Sequence, residues 1–220
     1  MTYCAHPTHD DSSPHPLPST IWHPGQHATE PAPVAGCVLP GWAVDKIRNE
    51  FRHCFGGLAG SQIRIEVHDL ELGMDARMPC TTFDGQPLDA ITGRTPSLLL
   101  AELHPDTLPS VVPRVSGAEE TADAVGGGWP GFCHRAHRML PADGLLLLAT
   151  RQRRDSGRLI DPLGTLIACA RTAGFRYLQH IVIVHGRLVG DQLVPAPPAD
   201  APPGLVHSDL LAFTAIHGQV

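Results

Sequence analysis

The sequence predicts an α/β fold, a mostly parallel sheet with helices on both sides. Three observations predict it. The runs Leu98-Leu99-Leu100 and Leu145–Leu148 are apolar without alternation, as strands buried on both faces are. A capped helical segment spans numbers 161–174 and is followed by a β-branched run, Ile181–Val184. A last apolar run, Leu210–Phe213, ends the series. Helices alternating with fully apolar strands are the mark of a parallel sheet covered on both faces.

Each element has its own warrant. Numbers 42–55 carry Val44, Ile47, Phe51 and Phe55 at the three-and-four spacing of an amphipathic helix, and Gly56-Gly57 supplies its end. From 62 to 68, Ile63, Ile65 and Val67 alternate with Arg64, Glu66 and His68, which predicts a half-buried strand at a sheet edge. Residues 69–96 are rich in turn formers and give no clear element. The continuous apolar run Ser97–Ala101 predicts a buried strand, and 118–124 a short helix before the break Gly126-Gly127-Gly128. Phe132, Ala136, Met139 and Leu140 again fall at helical spacing. The surest helix covers 162–173. Asp161 suits its N-cap, Pro162 its first position and Gly174 its close, while Leu163, Leu166, Ile167 and Ala170 line one face. Composition makes Met1–Thr20, rich in Pro, His, Ser and Asp, a disordered tail. Residues 21–220 form a single domain in which Ile21-Trp22 opens an extended arm.

The second half of the chain resembles a known fold family. The passage Met139-Leu140-Pro141-Ala142-Asp143-Gly144-Leu145-Leu146 resembles the helix, turn and buried strand of class I S-adenosylmethionine-dependent methyltransferases. The segments Arg187–Pro195 and His207–Phe213 are similar to the end of actinobacterial DNA amino-methyltransferase-like proteins. The likeness covers the last third to half of the chain. It implies a Rossmann-like sheet, mostly parallel with an antiparallel final strand, shortened here in its N-terminal half.

Two departures from that family decide the functional expectation. Its glycine-rich turn follows the first strand, where backbone amides approach the carboxylate end of S-adenosylmethionine. The comparable cluster here, Gly56-Gly57-Leu58-Ala59-Gly60, follows a helix and precedes a strand, so it reads as a cap and turn. The family's Pro-Pro-Tyr motif, which holds and stacks the flipped base, follows its fourth strand. Here the corresponding strand runs into Ala101-Glu102-Leu103-His104-Pro105-Asp106. Glu102, His104 and Asp106 are the candidate catalytic side chains by position, set against the plainer reading of a polar loop after a strand.

Charge is unevenly spread. The chain of 220 residues carries a net charge of −6, yet residues 129–195 hold nine arginines against four aspartates. Arg151, Arg153, Arg154 and Arg158 follow the 145–150 strand and share its rim with Glu102 and His104. They are the candidate phosphate-binding set, and a solvated surface is the alternative. Six cysteines show no paired spacing, and no apolar run reaches transmembrane length. With no leader apparent, a cytoplasmic address and no membrane partner are expected. Aromatics make up only 5% of the residues, which argues against a stacking platform for single strands. Among 14 histidines, His134 and His137 lie three apart on a predicted helix beside Cys133, the one grouping that would suit a metal.

These observations point first to a degenerate methyltransferase-like protein with a binding or regulatory role, with nucleic acid meeting the Arg151–Arg158 rim or a full-length methyltransferase as partner. S-adenosylmethionine binding is the property the missing turn puts in doubt. An active methyltransferase with altered motifs, acting on nucleic acid or a small molecule, is the second reading. A metal-binding protein built on Cys133, His134 and His137 is the third.

Overall fold

The computed structural model describes residues 19–24, 30–51, 61–67, 80–82, 96–104, 128–155, 157–199, 201 and 204–217. Among them, seven strands form one sheet. The strands are β1 (Ser19–Trp22), β2 (Ser61–Val67), β3 (Cys80–Thr82), β4 (Pro96–Leu103), β5 (Leu145–Thr150), β8 (Phe175–Val184) and β11 (His207–Ala215). Their order across the sheet is β1-β8-β11-β5-β4-β2-β3. The pairs β1–β8, β2–β4 and β4–β5 are parallel, whereas β11 runs antiparallel to both β5 and β8, and β3 antiparallel to β2. Five strands therefore share one direction. The mixed, mostly parallel sheet with an antiparallel last strand is the arrangement the sequence leads one to expect.

Two apolar layers sandwich this sheet. One packs Leu98, Leu100, Leu147, Ala149, Ile181, Ile183 and Leu210 against helix α1 (Gly41–Glu50) through Ala43, Val44 and Ile47. The other packs Leu99, Leu146, Leu148, Leu211 and Phe213 against helices α2 (Gly128–Met139) and α3 (Leu163–Thr172). All eight residues of β4 and all six of β5 are buried. That explains why those runs lack alternation: each face of each strand meets a helix layer.

The remaining strands form two small ribbons. β6 (Arg153–Asp155) pairs with β7 (Arg158–Ile160), and β9 (Gly186–Val189) with β10 (Gln192–Pro195). Both are antiparallel and stand just past the carboxyl ends of β5 and β8.

Several boundaries differ from the expectation. α1 ends at Glu50, and numbers 52–60, with the Gly56–Gly60 cluster, lie outside the described residues. The expected short helix at 118–124 lies outside them too, as do numbers 1–18 of the tail. Ser19 and Thr20, assigned to that tail by composition, are strand, and the arm is β1, joined in parallel to β8. Trp22 anchors it, buried beneath α1 with the Lys46 ammonium 5.0 Å from its ring centre. Gly128 begins α2 rather than belonging to a break. β2, expected at the edge, is flanked by β4 and β3; three residues of β3 are too short a signal to read beforehand. The resemblance passage holds its turn with Asp143 at φ 64° and Gly144 N–H bonded to Pro141 O at 2.9 Å.

α3 follows the rules of its ends. Asp161 Oδ1 accepts the Leu163 N–H at 3.0 Å, and Pro162, one residue before the helix, already has helical backbone angles. Gly174 closes it at φ +100°, and a Cβ there would stand 2.8 Å from His137 Nε2. That imidazole is fixed in turn. Its Nε2 donates to Ile216 O at 3.0 Å, since a carbonyl can only accept. Gly174→Ala is therefore expected to cost about 1–3 kcal/mol, from left-handed backbone strain and displacement of His137. Urea unfolding of the variant beside the parent chain checks it; an unchanged midpoint would show that the α3–β8 turn relaxes freely.

Candidate functional site

In a doubly wound sheet, ligands meet the carboxyl ends of the parallel strands. That rim is built here from the ends of β4, β5 and β8 and from the beginning of β11. Because β11 is antiparallel, its first residues, His207, Ser208 and Asp209, stand at the same edge. Register places Asp209 opposite Thr150 of β5 and Val182 of β8. Successive strand residues face opposite ways, so the rim carries two polar groups, one on each side of the sheet.

The group on the α1 side centres on Glu102, which is 3% exposed. Arg64 Nε of β2 donates to Glu102 Oε1 at 2.5 Å, and the Leu39 N–H donates to Oε2 at 3.1 Å. Both carboxylate oxygens are engaged by groups of the fold. The segment that supplies Leu39 leads into α1 and also supplies Val38 O, which accepts the Ser208 hydroxyl at 2.6 Å. With its proton committed there, Ser208 Oγ accepts from His185 Nε2 at 2.9 Å. His185 Nδ1 is then the unprotonated nitrogen, buried with no partner among the described residues. Burial holds the His185 pKa down to about 3, with the charges of Arg151 and His207 adding to the effect. The imidazole is neutral at physiological pH.

On the α2/α3 side lies Asp209, 1% exposed. His180 Nε2 donates to its Oδ1 at 2.8 Å, and His207 Nε2 stands 3.8 Å from the same oxygen. Burial pushes the Asp209 carboxyl above its usual range, while the His180 hydrogen bond and the charges of His207 and His180 draw it down; Asp161 pushes it up again. Asp209 Oδ2 and the hydroxyl of Thr150, its cross-strand neighbour, are both buried without a partner among the described residues.

The sequence-derived candidates distribute as follows. Glu102 reaches the rim but inside the fold, and His104, one residue past β4, is half-buried. Asp106 lies outside the described residues. Arg151 is buried at 2% exposure and close enough to His185 to shift its titration. Arg153 is half-buried, while Arg154 and Arg158 are on the β6–β7 ribbon, with Arg158 exposed and Arg154 Nη1 donating to Gly157 O at 3.3 Å. The three residues of the metal reading do not converge. Cys133 is buried in the core, and desolvation pushes its thiol up to about 12; His134 is exposed, and His137 is bonded to Ile216 O. Among the described residues, no group of three His, Cys, Asp or Glu side chains is placed to hold a metal ion. None of their helices is long and apolar enough to cross a membrane.

Sequence reasoning did not single out His180, His185, Ser208 or Asp209. The available signal was the polar triplet His207-Ser208-Asp209 opening a strand that is otherwise apolar and buried.

No protein-family model and no curated protein matches this chain. Solved structures that overlap it include two of a Thermus thermophilus protein provisionally assigned as a DNA modification methylase. One is the selenomethionine derivative, the other a complex with S-adenosyl-L-methionine. Identity is 17% in each, over 55% of this chain and 46% or 48% of theirs, with TM-scores of 0.32 and 0.33. The chain thus spans about half the length of those chains.

Two outcomes follow from the geometry. Glu102→Ala strands the Leu39 N–H and leaves Arg64 without its carboxylate, and should cost about 2–4 kcal/mol of unfolding free energy. Chemical denaturation reads it; a loss under roughly 0.5 kcal/mol, the level of a surface substitution, would mean that the ion pair is idle. His185 contributes to acid stability. Its folded pKa lies below the unfolded one, so the unfolded chain gains the proton first, and stability falls as pH drops from about 6.5 toward 3, by at most about 1.4 kcal/mol per unit. His185→Asn should flatten that slope relative to the parent, a comparison that cancels the opposing contribution of Asp209. Parallel slopes in the two proteins would exclude His185 as the source.

Proposed function

We propose that this chain is a diverged, shortened relative of class I DNA amino-methyltransferase-like proteins, in which the sheet serves a binding or regulatory role without methyl transfer. One observation carries the reading. At the end of β4, where the resemblance puts the motif that holds the target amine, the carboxylate that the strand itself supplies is Glu102, which is buried with one oxygen bonded to Arg64 and the other to the Leu39 N–H. A general base needs a free lone pair within reach of its substrate. Glu102 keeps further lone pairs, but at 3% exposure, with Arg64 and the Leu39 backbone bonded to its two oxygens, a substrate reaches them only if the fold around it opens.

The methyl donor itself finds no described cradle to be tested against. The chain leaving β2, where a donor-binding turn would begin, runs through numbers 68–79, outside the described residues. The binding role is supported by the rim's charge. Arg153, Arg154 and Arg158 belong to the short β6–β7 ribbon past β5, with Arg153 half-buried and the other two exposed. Guanidinium groups in that position suit phosphate oxygens, which makes nucleic acid the partner in this reading, alone or beside a complete methyltransferase.

Calorimetry with S-adenosylmethionine tests the proposal. No heat of binding is expected up to millimolar donor. A clear micromolar dissociation constant would replace this reading with that of an active enzyme using altered motifs, and transfer of labelled methyl to duplex DNA or to small amines would then be sought.

A further inference from the structure

Buried polar atoms in native proteins nearly always have partners, and those without one ask for an explanation. Two such atoms belong to residues that face each other across neighbouring strands at the rim. Asp209 Oδ2 and Thr150 Oγ1 belong to residues directly opposed across the β11–β5 ladder, each at most 1% exposed, and neither has a partner among the described residues. They face the α2/α3 side, as Leu211 and Leu148 do. Glu102 lies on the other side with Leu98 and Leu100, so this pair is separate from the group that carries the functional proposal.

The surroundings define what would fit. Asp209 Oδ1 is already satisfied by His180 at 2.8 Å. What remains is one carboxylate oxygen, an acceptor only, beside a hydroxyl that either donates or accepts. Asp161, at the start of α3, contributes a second negative charge felt by Asp209. His180 and His207 form the outer wall, with side chains 22% and 29% exposed. His207 is 3.8 Å from Oδ1, beyond hydrogen-bond distance, so displacing it breaks no bond to Asp209. The next residues on this face of β5 and β11, Leu148 and Leu211, are buried and apolar, and in such surroundings a charge-assisted hydrogen bond is strengthened by exclusion of water.

We infer that Asp209 and Thr150, walled by His180 and His207, form a binding site for the primary ammonium group of a small ligand. Two of its N–H groups would donate to Asp209 Oδ2 and to Thr150 Oγ1, completing both. The site does not depend on whether the protein binds a methyl donor.

Methylammonium is the probe, with tetramethylammonium as a control that has the same charge and no N–H donor. Thermal unfolding at about pH 8, where free imidazole is neutral, is followed against the concentration of each chloride salt. The parent chain should show a saturable rise in midpoint with methylammonium beyond that in tetramethylammonium. Asp209→Asn should weaken the apparent affinity about ten- to a hundred-fold, the loss expected for one charged hydrogen bond. Thr150→Val, nearly isosteric and neutral, should weaken it several-fold and keeps the test decisive if the Asp209 variant does not fold. The His180 Nε2–H proton resonance should move on titration in the parent chain. Equal responses to the two salts would overturn the inference and leave an internal water as the partner of both atoms. A Thr150→Val protein that is more stable and still responds fully to methylammonium would overturn it as well.

Discussion

Strand β11 is the constraint on which the rest of the structure depends. It lies antiparallel between β5 and β8, and without it these two parallel strands would each present a long unpaired edge. It bonds to both neighbours at once, and eight of its nine residues are buried. Running against its neighbours, it also brings its first residues, not its last, to the ligand-bearing rim. A parallel strand would have put Thr214 and Ala215 there instead of His207, Ser208 and Asp209. One reversal of direction thus both closes the sheet and stocks its working edge with polar groups.

The two-residue period of the strand then splits that stock. Ser208 points to the α1 side and closes a chain from His185 through its own hydroxyl to Val38 O. Asp209 points to the α2/α3 side and gathers His180. Each hydrogen-bond chain is local to one face, and the two are coupled electrostatically through His207, which lies beside Asp209 and acts on His185. The segment Val38-Leu39 ties the α1-side groups together, because its carbonyl serves Ser208 while its next N–H serves Glu102. Backbone approaching α1 is therefore held at two points by rim side chains from different strands.

Much of the architecture was legible in the sequence, and the reason is energetic. β4 and β5 are buried on both faces, so nearly every position must be apolar, and an uninterrupted run such as Leu98-Leu99-Leu100 has few alternatives. α3 was legible because its ends obey local rules: the Asp161 carboxylate meets the Leu163 N–H, and Gly174 takes a positive φ that other residues resist. β3 and the two ribbons were not, since three or four residues carry too little periodicity to separate strand from turn. The rim was legible only in part. Glu102 and Arg151 could be placed at strand ends, but the burial of Glu102 depends on Arg64 and on the segment before α1, which lie far away in the chain. His180 and Asp209 are 29 residues apart in the chain and adjacent in space solely because β8 and β11 pair in one register. Long-range register is set by the whole hydrophobic pattern, not by any short motif.

The contrast between the faces bears on what the rim can do. On the α1 side, Glu102 has both oxygens filled, and His185 is held neutral by burial and by the nearby Arg151. Charge there is either paired or suppressed, and the acceptor without a partner among the described residues is the neutral His185 Nδ1. On the α2/α3 side the accounting is incomplete. A carboxylate raised in pKa by burial keeps one oxygen and a neighbouring hydroxyl unfilled, beside two imidazoles that still reach solvent. Stability alone would favour an apolar replacement for such a pair. A site that accepts a donor from outside has the opposite requirement, an acceptor desolvated in advance. The α1 side offers a single neutral nitrogen, whereas the α2/α3 side offers a carboxylate oxygen with a hydroxyl on the opposing residue, so an external donor gains most there.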